Sequence, residues 1–91
     1  MTKKEYLTDL LNKIAKETQM HTSWESAKED NQSHYLRLDN NPTYGGWCME
    51  LVNIEHWAVR DAFHFNCSTR YKYKIMKLML ESFYQGLVYE K

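Results

Sequence analysis

Four basic side chains, Arg70, Lys72, Lys74 and Lys77, fall within one short stretch of this chain, RYKYKIMKLML, and tyrosines separate the first three. Cations at that density are the groups that contact phosphates. At the start of a helix they also meet unpaired backbone N–H groups and the positive end of the macrodipole. Stability alone favours Asp or Glu in a first turn, so basic residues there mark a candidate anion or nucleic-acid site. The competing reading is a solvated lysine edge on a packing helix, which is the commoner role of surface lysines.

The other reactive side chains do not assemble into a recognisable centre. Cys48, His56, His64 and Cys67 are possible ligand types, but there is no C-x-x-C pair and no H-x(3–5)-H pair. Glu50, Glu55 and Asp61 are the candidate acids or bases, and either cysteine could be a nucleophile. No Gly-rich phosphate loop, H-E-x-x-H or nucleophile elbow orders them. Glu55 and His56 adjoin, which in a strand places them on opposite faces. The expectation is a protein without catalytic residues, metal or cofactor.

Aromatic residues form the second binding candidate. Three Trp, seven Tyr and three Phe are more than a small core can enclose. Trp24, Tyr35, Tyr44, Trp47 and Trp57 flank the turns and strands, and Trp and Tyr are enriched at protein–protein hot spots. These five are the expected partner interface.

The elements that must position these groups can be read from periodicity. With 91 residues, 43% of them hydrophobic, the chain is expected to be a single domain over 1–91. Thr2-Lys3-Lys4-Glu5 is a capping box, and Leu7, Leu10, Leu11, Ile14 and Thr18 follow on one helical face. Residues 21–33 are polar apart from Trp24, with a short helical turn over 23–28 as one reading and a loop as the other. Residues 34–39 and 47–54 alternate as strands, joined by the turn-rich segment 40–46 into an antiparallel hairpin. Residues 55–66 fit both a strand and a short helix. A third strand near 57–65 is preferred, because two strands alone make a poor sheet. The last helix is expected from a Ser68 or Thr69 cap to about Gln85, with Gly86 ending it. The fold class is α+β: N-terminal helix, three-stranded antiparallel sheet, and C-terminal helix packed on one sheet face.

Wound at about 100° per residue, the last helix gathers Arg70, Lys74, Lys77, Glu81 and Gln85 into a narrow polar arc. Most of the remaining circumference is apolar, so the helix needs two covered surfaces, and a homodimer is one way to supply the second. Twelve basic residues balance twelve acidic ones. Any nucleic-acid contact must therefore be local. No apolar h-region follows Met1-Thr2-Lys3-Lys4-Glu5, and no run is long enough to span a bilayer, so a cytoplasmic location with reduced cysteines is expected.

The order helix, three strands, helix resembles the double-stranded-RNA-binding domain over most of the chain. That resemblance implies phosphate contacts for Lys72 and Lys74, with Arg70 beside them. The family's Lys-Lys-x-Ala-Lys motif and alanine-rich continuation are missing here. In size and composition the chain also looks like many small phage and mobile-element proteins, some of which inhibit host defence or replication enzymes. The preferred expectation is a non-enzymatic protein that docks on a partner macromolecule. The alternative is a module for nucleic acid, a nucleotide or another small anion, using the basic half of the last helix.

Overall fold

The capping box forms as its residue types demand. The Thr2 hydroxyl accepts from Glu5 N–H at 3.1 Å, and the Glu5 carboxylate accepts from Thr2 N–H at 3.4 Å. From that start, α1 runs Lys3–Thr18 and buries Leu7, Leu10, Leu11, Ile14 and Ala15. Gln19, at φ 59°, turns the chain out of the helix. The computed structural model describes residues 1–62 and 70–89, with backbone alone for Arg60 and Asp61.

A short helix, α2 (Trp24–Glu29), occupies the polar segment, capped by Ser23, whose hydroxyl accepts from Ser26 N–H at 3.2 Å. Strands β1 (His34–Asn41) and β2 (Gly46–Asn53) then pair antiparallel. The register sets Leu36 opposite Leu51 and Leu38 opposite Met49 on one face. Tyr35 opposite Val52 and Arg37 opposite Glu50 occupy the other, as the alternation required. The hairpin loop is shorter than the expected 40–46. Asn40 and Asn41 stay in the ladder, and a single 3-10 turn, Pro42–Tyr44, followed by Gly45 makes the connection.

Among the described residues the expected third strand over 57–65 is not present as such, and the hairpin is the body of the sheet. Within 57–62, β3 (Val59–Asp61) pairs with β2, through Val59, Arg60 and Asp61 opposite Val52, Leu51 and Glu50. Farther along the same edge, Tyr71 exchanges two backbone hydrogen bonds with Trp47, at 2.7 and 2.8 Å. Phe63 and Phe65, which carried part of the strand pattern, lie outside the described residues, as do the proposed caps Ser68 and Thr69 and the ligand candidates His64 and Cys67.

Helix α3 (Tyr73–Tyr89) differs from expectation at both ends. Tyr71 is extended because it bonds to Trp47, so the helix cannot begin before Lys72, whose carbonyl accepts from Ile75 and Met76 N–H. Arg70 is therefore not on the helix. At the other end Gly86 lies inside it.

Helices α1 and α3 lie on the Leu36/Met49 face of the hairpin and enclose the main core, in which Leu7, Ile14, Met76 and Leu80 are fully buried. They run parallel. Lys3 meets Tyr73, Tyr6 meets Glu81, and Lys13 meets Tyr84, so position along one helix tracks position along the other. A smaller cluster on the opposite face joins Ala27 of α2 to Tyr35 and Val52. On that face Glu50, 8% exposed, accepts from Arg37 Nε at 2.9 Å and Nη2 at 2.8 Å. Burial works against the Arg37 charge, but the hydrogen bond and charge of Glu50 outweigh it and raise the pKa of the guanidinium. Among the described residues no helix is long and apolar enough to cross a membrane.

Candidate functional site

The five aromatic residues expected to form one interface are distributed by the strands over two faces and both ends of the hairpin. Tyr35 is buried beneath α2, and Trp47 is half-buried against the main core. Tyr44 stands on the hairpin turn, 73% exposed. Trp24 and Trp57 come together at the other end, where α2 meets the segment after β2. Their rings stack nearly parallel, 7° apart in plane, with centroids 6.2 Å apart.

This pair is held from below by local chemistry. The Trp24 indole N–H donates to the Ile54 carbonyl at 3.2 Å, and the Lys28 ammonium lies 4.6 Å from the Trp24 ring centroid. Asn53, the last residue of β2, builds the turn that carries Trp57. Its side-chain oxygen accepts from Glu55 and His56 N–H at 2.8 and 2.9 Å, and its carbonyl accepts from Trp57 N–H at 2.9 Å. Asn53 N–H donates to the Ala58 carbonyl, which closes the turn. Trp57 is thereby fixed at φ 56°, a left-handed conformation unfavourable for a bulky residue, and remains 58% exposed. Beside the pair is a hollow lined by Trp24, Lys28, Asn31, Gln32, Ser33, Ile54 and Glu55.

A second surface lies where α1 and α3 begin. Because the helices are parallel, both N-termini point the same way. Lys3, Lys72, Lys74 and Lys77 line one open hollow with Tyr73 and Ile75. Lys3 rests over the Tyr73 ring and Lys77 over the Tyr6 ring, each 5.3 Å from the centroid. The fourth expected cation is elsewhere. Arg70 pairs with Asp39 at 2.7 Å and donates to the Gly46 carbonyl at 3.2 Å, with only 18% of its side chain exposed. Its charge is matched within the fold, where it ties the returning chain to the hairpin.

Sequence reasoning missed Lys3, Lys28 and Asn53. Lys3 could be found only by knowing that α1 and α3 run parallel. Lys28 follows Trp24 at i+4, a spacing that places it over the ring in a helix. Asn53 carried a local signal, since Asn side chains cap turns two and three residues ahead. Among the described residues no three His, Cys, Asp or Glu side chains gather as metal ligands. The chain matches no protein-family model, curated protein or solved structure at a significant level.

Proposed function

We propose that the chain is a non-catalytic binding protein that docks on a partner protein through the Trp24–Trp57 corner. The observation that carries this reading is Trp57, a large aromatic held outward at a left-handed φ by a turn with four backbone-anchored hydrogen bonds. A conformation of that kind costs about 1–3 kcal/mol and persists where the surroundings over-determine it, most often at ligand-contacting positions. Exposed tryptophan is also the side chain that gains most from being covered by a partner. A host defence or replication protein, met by a phage or mobile-element product, is the partner class that size and composition favour.

A second reading has its own observation: the four lysines gathered at the paired N-termini of α1 and α3. It makes the same chain a module for nucleic acid, a nucleotide or another small anion. The two are separated by one set of variants. Affinity capture from the native host is run with the wild type, with Trp57→Ala and with Lys72→Glu/Lys74→Glu, and labelled oligonucleotide binding is followed across a salt series. Docking through the aromatic corner predicts a partner lost with Trp57→Ala and kept with the lysine variant. If the lysine variant alone abolishes binding, with a log–log salt slope near −0.9 per phosphate contact on duplex DNA, the docking reading fails and the anion reading stands.

A further inference from the structure

The side of α3 turned away from the core carries an uncovered apolar row. Ile75 is 50% exposed, Leu78 65% and Tyr89 91%, with the small residues Ser82 and Gly86 set between them. At about 100° per residue these five fall within an arc of about 80°, and no charged residue lies inside it. The row also has relief. Leu78 projects one turn before Ser82, whereas Gly86, one turn after it, forms the floor of a shallow hollow with Ser82, Gln85 and Tyr89. A methyl group added at Gly86 would meet nothing within 4 Å.

We propose that a second copy of this chain covers the row, with the two α3 helices antiparallel about a two-fold axis through Ser82. That operation puts Leu78 of each copy opposite Gly86 of the other, and Ile75 opposite Tyr89. A projection thus meets a hollow twice, as a self-complementary two-fold interface requires. Charge selects the same direction. Parallel helices would bring Lys72 and Lys74 of both copies together. In the antiparallel arrangement each Lys74 lies about 12 Å along the axis from Ser82, so the two are about 24 Å apart, beyond the Debye length at physiological salt. Opposed macrodipoles add a small favourable term. The row is one helix wide and therefore smaller than the roughly 800 Å² per partner of a standard interface, so the dimer is expected to be concentration-dependent. This surface is separate from the Trp24–Trp57 corner, and neither proposal depends on the other.

Light scattering after size exclusion, over a range of protein concentrations, tests the association. The wild type is expected to rise from 11.0 kDa towards twice that mass. Gly86→Leu fills the hollow, and Leu78→Lys replaces the projection; both are expected to stay at the monomer mass with unchanged circular dichroism. Gly86→Leu improves helix propensity in the monomer, so its failure to dimerise would not be a folding defect. Ser82→Cys, placed on the axis, should give a covalent dimer on mild oxidation that neither the wild type nor Lys74→Cys gives. A wild type that remains a monomer at every concentration, a Gly86→Leu variant that still dimerises, or equal crosslinking through Lys74→Cys would each overturn the proposal.

Discussion

Gly46→Ala should be among the most damaging small substitutions in the chain, and the structure gives the size of the effect. Gly46 sits at φ +116°, where an L side chain is strained. An added Cβ would lie 2.5 Å from the Tyr71 carbonyl oxygen and 3.2 Å from its carbon. That oxygen accepts from Trp47 N–H at 2.7 Å, so relieving the clash must move a backbone group that is bonded in place. The conformational strain is about 1–3 kcal/mol. Losing the two Trp47–Tyr71 hydrogen bonds adds about 1 kcal/mol each. The sum, about 3–5 kcal/mol, is a large share of the roughly 5–14 kcal/mol expected for a domain of this size. It corresponds to a fall in Tm of about 15–30 °C. The control is the neighbouring residue. Gly45 has φ +109°, but a Cβ there would meet Arg70 Cβ at an ordinary 3.6 Å, so Gly45→Ala bears the strain alone. Urea denaturation of both variants measures the difference, which should be about 2 kcal/mol. If the two midpoints coincide, the close approach of Gly46 to Tyr71 does not contribute, and the account of why α3 begins late loses its support.

Asn53→Ala removes the acceptor for Glu55 and His56 N–H, so amide exchange over 54–58 should quicken and Trp57 fluorescence should become more mobile, at a cost of about 1–3 kcal/mol. Arg37→Met leaves the Glu50 carboxylate buried without its partner. It should lower the urea midpoint more than Arg37→Met/Glu50→Leu does, although the partial exposure of Arg37 keeps the penalty below that of a fully buried pair. The Tyr6 hydroxyl donates to Glu81 at 2.9 Å, and that bond, with burial and the carboxylate charge, raises its pKa above the ordinary 10.0. A raised folded-state pKa means that the associated stability is complete below pH 10 and is lost as the pH climbs through the folded-state value. Tyrosinate absorbance should therefore show one late-titrating phenol, absent in Tyr6→Phe, whose stability should also decline less at high pH.

Those parts of the fold that rest on neighbours in sequence were legible in it. The capping box at Thr2 and the buried face of α1 each depend on residues within a turn or two. The two faces of the hairpin followed from alternation, which leaves no other choice once one face is buried. What could not be read depends on contacts distant in sequence. The stretch 70–72 has helical periodicity, yet the bond between Tyr71 and Trp47 keeps it extended, and Asp39 recruits Arg70 away from the lysines. Parallel packing of α1 on α3 brings Lys3 to the basic hollow across some seventy residues, a juxtaposition that no local spacing encodes. Residue type alone suggests one aromatic patch, but Tyr35 and Trp47 point to opposite faces of a hairpin and Tyr44 stands at its far end.

The split edge of β2 has a consequence for how this chain tolerates changes in length. Ala62 N–H donates to the Met49 carbonyl, and Tyr71 is bonded to Trp47. Ala62 and Tyr71 are therefore held at anchor points two residues apart on one strand, about 7 Å. When both ends of a segment are pinned so close together, the entropy of closing it rises only logarithmically with its length, by about 0.6 kcal/mol for each doubling. Residues inserted between 62 and 70 should leave the register of β2, the Arg70–Asp39 pair and the start of α3 untouched. With both flanks pinned to β2, added length there is expected to cost the rest of the fold little.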